Sequence, residues 1–183
     1  MTTLRNFAAA SVLIFAAATA QAADFKITTD SAPNGQFPLA QIANQFGCQG
    51  GNVSPHLTWS GAPAGTKSFV VTMYDQDAPT GSGFWHWAVA NIPADVTDLP
   101  AGAGSAGGTL PSGAHTVTND AGIAGYLGAC PPGPEAHRYL ITVNALKVDK
   151  LDLPANASPA FLGFMVATHS IGKATIVVRG KRP

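Results

Sequence analysis

The sequence predicts a mainly β fold, a β-sandwich of two sheets with a short C-terminal helix. The 183 residues include 20 Gly and 14 Pro, and only 11% of them are charged. This composition argues against long solvent-facing helices and favours short strands joined by turns. Several short runs rich in β-branched and aromatic residues, each ended by Gly or Pro, support the same class.

The first half of the chain contains four of these runs. Residues 67–74 contain a continuous apolar stretch, which is typical of a strand buried on both faces. The run at 84–92 ends because Pro93 cannot continue a ladder of hydrogen bonds. The four predicted strands span residues 25–29, 57–60, 67–74 and 84–92.

Residues 94–134 are rich in Gly and Pro and have little periodicity. A loop of this length inside one domain is usually functional or pinned by other parts of the fold. Two further strands are predicted after it, at 137–146 and 174–179, from their alternating and β-branched residues.

A helix is predicted between these last two strands, over residues 158–171. Ser158 can serve as its N-cap, and Pro159 suits the first turn. Gly172 is expected to end it.

The N-terminus has the composition of a secretory signal peptide. Arg5 is followed by an uncharged apolar run at 7–18, and residues 20–22 read Ala-Gln-Ala, a cleavage sequence. The run is too short for a comfortable transmembrane helix, so no transmembrane anchor is expected. A buried N-terminal helix is the alternative. The predicted organisation is a signal peptide at 1–22 and a single domain at 23–183, exported to the periplasm or secreted.

Charge and cysteine content restrict the function further. The formal net charge is zero, which argues against a nucleic-acid partner. Glu135 is the one glutamate, so mechanisms with paired glutamates are excluded. An even pair of cysteines in an exported chain predicts a Cys48–Cys130 disulfide, with two buried thiols as the alternative.

Polar and glycine-rich segments fall at the ends of the predicted strands, where a rigid sheet can aim side chains into one pocket. Two imidazoles, glycine amides and an aromatic wall would suit an oxyanion such as phosphate. The segments are residues 75–79, 85–87, 125–132 and 137–139.

These segments resemble the phosphatidylethanolamine-binding protein (PEBP) family, and most closely its bacterial Raf-kinase-inhibitor-like branch. The resemblance covers nearly all of residues 23–183 and rests on residues 51–59, 74–93, 119–120 and 125–139, with the D-x-D-A-P and H-R-Y motifs. It implies a two-sheet sandwich with a small anion pocket. The ligand-binding residues that it implies are Asp75, His86, Tyr126, Gly128, Cys130 and His137, with Gly128 and Cys130 acting through their amides. Cys130 departs from eukaryotic members, which usually have Gly there.

The function that follows is an exported binding protein for small phosphorylated or anionic ligands, without turnover or cofactor. No G-x-S-x-G nucleophile motif is present. One alternative is a hydrolytic or metal-dependent enzyme that uses Asp75, His86 and His137. Another is a secreted inhibitor of a protein partner. If charged histidines hold the anion, affinity should be highest at about pH 6–7 and fall as the pH rises.

Other polar side chains have structural interpretations. Asp77 is expected to anchor its turn through backbone hydrogen bonds. Arg138 should face away from His137 and form a clamp or ion pair. The basic residues Arg179, Lys181 and Arg182 are interpreted as a solvated C-terminus.

Overall fold

The computed structural model describes residues 24–183, so the predicted signal peptide at 1–22 lies outside the described residues. Short 3₁₀ turns lie at Pro33–Gly35 and Leu39–Gln41. The remaining elements are β1 (Lys26–Thr28), β2 (Leu57–Ser60), β3 (Ser68–Asp75), β4 (Phe84–Pro93), β5 (Asp98–Leu99), β6 (His115–Thr116), β7 (His137–Leu146), α1 (Pro159–His169) and β8 (Ser170–Gly180). None of the helices within residues 24–183 is long and apolar enough to cross a bilayer.

The strands form two antiparallel sheets, which confirms the predicted mainly β class. The smaller sheet has the order β1-β2-β5, and the larger has the order β6-β4-β3-β7-β8. The short strands β5 and β6 lie in the region interpreted as loop, because two-residue strands are too brief to leave a periodic pattern.

The core explains the apolar stretch within β3. Phe69, Val71 and Met73 lie in the main cluster with Trp59 of β2. Val70 belongs to a second cluster, with residues of α1 that cover the other face of the large sheet. The central strand therefore buries both faces, as its sequence predicts.

Helix α1 begins as predicted but ends earlier. The Ser158 Oγ accepts a hydrogen bond from the Phe161 N–H at 3.1 Å, which makes Ser158 the N-cap. The helix ends at His169 and the chain continues directly into β8, so the predicted end at Gly172 is wrong. Glycine is required there by packing, because a Cβ atom would lie 2.6 Å from Cγ of Pro63.

His56 joins the small sheet to the chain after β1 by bridging two carboxylates. Its Nδ1 lies 3.0 Å from Oδ1 of Asp30, and its Nε2 lies 2.6 Å from Oδ2 of Asp98. Only a protonated ring can donate to both. The hydrogen bonds to Asp98 and Asp30 raise the pKa of His56 above its ordinary value.

The stability contributed by this bridge should depend on pH. It is fully present below the unfolded pKa of about 6.5 and is lost as the pH rises through the raised folded pKa. The hydrogen bond to His56 lowers the pKa of Asp30. Asp30 therefore loses its negative charge, and with it the ionic contact to His56, only in acid. We expect His56→Gln to melt below wild type at pH 5.5, with a smaller difference at pH 8.5. Solvent screens the exposed Asp30 and the half-exposed Asp98, so the difference should be modest.

Thermal melts of both proteins at the two pH values test this expectation. His115→Gln is the matched control, because His115 is exposed and forms no ion pair within the described residues. An equal difference between wild type and His56→Gln at both pH values would contradict it.

Candidate functional site

A cavity of about 540 Å³ opens where the end of β3 and the start of β4 meet two loops. Asp75 and His86 lie in its lining together with Thr80, Asp120 and Arg182, and the other walls are largely apolar. The apolar lining is formed by Phe46, Ala78, Pro79, Phe84, Ala121, Leu127, Pro131 and Pro132. A few polar groups in a mostly apolar cleft is the usual composition of a small-molecule site.

A β-bulge places His86 in this cavity. Met73 pairs with Trp87 while the next residue, Tyr74, pairs with Trp85, so His86 is the extra residue of β4. The bulge sends Trp87 into the core and leaves Trp85 against Tyr74, at a ring-centroid distance of 4.6 Å. Bulges re-aim side chains in this way beside binding sites.

The His86 ring is oriented by the backbone that follows the long loop. Its Nδ1 lies 3.0 Å from the carbonyl oxygen of Leu127, to which it donates. Burial lowers the pKa of His86 below its ordinary value, although the Leu127 carbonyl and the charge of Asp75 oppose this effect. The ring is therefore neutral at pH 7, and Nε2 then offers a lone pair.

Asp75 is a buried carboxylate with donors on both oxygens. Oδ2 accepts from His137 Nδ1 at 2.8 Å, and Oδ1 accepts from the Asp77 N–H at 2.9 Å. His137 does not line the cavity; it lies against Asp75 and holds its orientation. Direct contact between His137 and a ligand remains a prediction.

Arg138 has the predicted ion pair, and its partner is Asp77. Arg138 Nε donates to Oδ2 of Asp77 at 2.9 Å, and the Arg138 N–H donates to the same oxygen at 2.8 Å. These contacts lower the pKa of Asp77 to about 2. The expectation that Asp77 anchors its own turn is wrong, because the turn is closed by Asp75 instead.

Gly128 lies in the lining, but its amide is already used. Its N–H donates to Oδ1 of Asn52 at 2.7 Å. Glycine is needed because a Cβ would lie 2.4 Å from the backbone nitrogen of Ala43. The predicted role of the Gly128 amide as a free donor to an anion therefore does not fit this geometry, and Asn52 is a positioning residue that the sequence reasoning missed.

Tyr126 and Tyr139 both lie outside the lining of the cavity, and they make different contacts near it. Tyr126 does not line the cavity; its hydroxyl donates to the Gln41 carbonyl oxygen at 2.9 Å, and its ring packs edge-on against Trp87. Tyr139, to which the sequence assigns no role in the site, contacts His86 edge-on with ring centroids 5.1 Å apart. Its buried hydroxyl has no hydrogen-bond partner among the described residues. Burial and the neighbouring charge of Asp75 raise its pKa.

The rim of the cavity, formed by Phe46, Cys130 and Pro131, is held in place by covalent and polar contacts. Cys48 and Cys130 form a disulfide with their Cα atoms 6.1 Å apart. Arg182 Nε donates to the Pro131 carbonyl at 3.2 Å, and Nη2 donates to the Phe46 carbonyl at 3.2 Å. Interpreting Arg182 as part of a solvated tail is therefore wrong, because its side chain is fixed at the mouth of the cavity.

Asn119 pins the long loop to β4. Its Nδ2 donates to the carbonyls of His86 and Gly125, both at 3.2 Å. Its Oδ1 accepts from Ala121 N–H at 3.0 Å and from Ile123 N–H at 3.1 Å. The loop that was expected to be functional or pinned is thus fixed at the cavity wall.

Comparison with known proteins adds a family and a set of relatives. A family model described as phosphatidylethanolamine-binding protein matches residues 28–181. YbcL of Escherichia coli K12 is 49% identical over 176 residues, covering 94% of this chain and 96% of YbcL. YbhB of the same organism is 49% identical over 150 residues, covering 82% of this chain and 95% of YbhB. The crystal structure of E. coli YbcL, described as a new member of the mammalian PEBP family, has a TM-score of 0.83, with 88% of this chain and 100% of YbcL covered.

Proposed function

Because this chain belongs to the phosphatidylethanolamine-binding protein family, we propose that it is an exported binding protein for small phosphorylated or anionic ligands. The family membership expected from the motifs is confirmed. The ligand class, of the phospholipid head-group type, and the absence of turnover are parts of the proposal.

The observation that carries the proposal is the cavity at Asp75 and His86. Its volume of about 540 Å³ falls in the range of small-molecule sites. A few polar side chains are available to the charged or polar part of a ligand, while the apolar walls would cover its organic part.

Binding without turnover is supported by the state of the candidate nucleophiles in the lining. The Cys130 sulfur is in the disulfide, and the Thr80 hydroxyl donates to the Gly83 carbonyl. Neither is paired with His86, as a nucleophile and its base would be. Export is supported by the disulfide and by the signal-like composition of residues 1–22.

Affinity for an anionic ester should rise as the pH falls. The negative charge of a ligand in the cavity favours the charged ring, so the pKa of His86, which burial lowers in the free protein, is higher in the complex. Between these two values binding takes up a proton, and affinity changes by up to about tenfold per pH unit. Because burial lowers the pKa of His86, affinity should continue to increase below pH 6.5, rather than peak at pH 6–7 as the sequence suggested.

Calorimetry with phenyl phosphate at several pH values tests this proposal. His86→Asn is the control, since its amide can still donate to Leu127 but does not titrate. The ester itself also titrates, and this affects both proteins equally. The difference between the two proteins in how affinity for phenyl phosphate changes with pH therefore reports on His86. If wild type binds no phenyl phosphate at any of these pH values, the proposed ligand class is wrong.

A further inference from the structure

At neutral pH the inner end of the cavity, at Asp75 and His86, attracts an anion only weakly, and it attracts one more strongly as His86 takes up a proton. Asp75 and Asp120 are the carboxylates of the lining. His86 donates through Nδ1 to Leu127, and the Gly128 N–H is taken by Asn52. A neutral His86 would present an acceptor to the ligand, which does not attract a phosphate oxygen.

Arg182 is the one Lys or Arg among the described residues that line the cavity. Its guanidinium donates to carbonyls at the rim: Pro131 at 3.2 Å, Phe46 at 3.2 Å and Gly47 at 3.4 Å. No carboxylate forms an ion pair with Arg182 anywhere in residues 24–183. Its positive charge is therefore available to a ligand.

The guanidinium is also oriented in advance. It has five N–H groups, and the three contacts to carbonyls leave two of them free. A planar fork held in place loses little conformational entropy when it meets a phosphate, and it can bind two oxygens at once.

Phe46 supplies an apolar surface next to this cation. It is 61% exposed although it is a large aromatic residue. Its φ of 56° lies in the left-handed region, which non-glycine residues adopt only where the surroundings hold them. Arg182 holds this segment through the carbonyls of Phe46 and Gly47. Strain at the rim of a cavity is a feature of ligand-contacting segments.

We infer that Arg182 binds the negatively charged group of the ligand at the mouth of the cavity, with Phe46 covering the adjoining organic group. This inference rests on the proposed function and makes it more specific. The ligand class is a phosphomonoester with an apolar or aromatic organic group. His86 and Asp75 then meet the polar groups of the ligand that reach the inner end.

The test compares Arg182→Gln, Arg182→Lys and Lys181→Gln with wild type by calorimetry with phenyl phosphate. Glutamine retains an amide donor for the rim carbonyls but has no charge. We expect Arg182→Gln to weaken binding by about 10–100-fold, the effect of losing a hydrogen bond to a charged group. Arg182→Lys should fall between it and wild type, and the exposed neighbour Lys181 should change affinity by less than about twofold. Added salt should weaken binding to wild type more than to Arg182→Gln.

A thermal melt of each variant confirms that the protein is folded before affinities are compared. If Arg182→Gln binds as wild type does while His86→Asn is weaker, the assignment of Arg182 is wrong and the proposed function stands. If wild type does not bind phenyl phosphate, both are wrong.

The source of the ester is distinguished by flotation with phosphatidylcholine vesicles that contain or lack phosphatidic acid. If wild type floats only with vesicles that contain phosphatidic acid, and Arg182→Gln does not float with them, the assignment is supported and the ligand is a lipid head group. If phenyl phosphate binding requires Arg182 but the protein does not float with either kind of vesicle, the assignment is supported and the ligand is a free ester.

Discussion

Replacing both Cys48 and Cys130 by serine should lower the free energy of unfolding by about 2–5 kcal/mol, the usual effect of removing a native disulfide. The two residues are 82 positions apart, so the bond removes much of the freedom of the unfolded chain. Loop-closure entropy alone predicts roughly 4–5 kcal/mol as an upper value. At about 2–4 °C per kcal/mol, the melting temperature should fall by roughly 4–20 °C.

Thermal and urea unfolding of the double variant measure this effect. Wild type treated with a reductant is the matched control and should melt close to the variant, because both have lost the same bond. Hydrogen exchange should increase in residues 125–134, which include the Cys130 rim. A double variant with the same melting temperature as oxidised wild type would contradict the account.

The second large effect is expected for Asn119→Ala. Asn119 is only 4% exposed, and its amide satisfies four backbone groups: two carbonyls and two N–H groups. Each buried group left without a partner costs about 1–3 kcal/mol. The His86 carbonyl keeps the Leu127 N–H as a donor, and water can satisfy part of the rest, so we expect a total loss of about 3–5 kcal/mol. Because His86 is one of the residues held, affinity for phenyl phosphate should also fall.

Urea unfolding and calorimetry of the same sample separate these two effects. Asn156→Ala is the matched control, since Asn156 is exposed and its side chain makes no hydrogen bond within the described residues. An Asn119→Ala protein as stable as this control would show that the loop is held by other contacts.

The sequence predicted the fold well where the signal is local. The run at 67–74 has the composition of a strand buried on both faces, and Ser158 followed by Pro159 is an N-terminal helix signal. The end of α1 was predicted wrongly from Gly172, because a glycine that ends a helix and a glycine that allows close packing look the same in a sequence. The distinction depends on Pro63, which is distant along the chain.

The site was predicted less completely, for a related reason. Motifs located Asp75 and His86, and both lie in the cavity lining. The bulge at His86 depends on how β3 and β4 pair, which period-2 alternation along a single strand does not reveal. Asn52 and Arg182 act on segments far away in sequence, and a basic residue next to the C-terminus gives no local sign that it folds back onto the rim.

The central claim is that a phosphorylated ligand occupies the cavity between His86 and Arg182. It is tested most directly by a nitrogen–proton NMR titration of the ¹⁵N-labelled protein with phenyl phosphate. The account predicts saturable shifts of the backbone amides of Thr80, Asp120 and Cys130 and of the Arg182 Nε–H, while the groove between α1 and the large sheet, near Leu162 and Lys173, is unchanged. Shifts confined to that groove, or no saturable shifts at all, would contradict it.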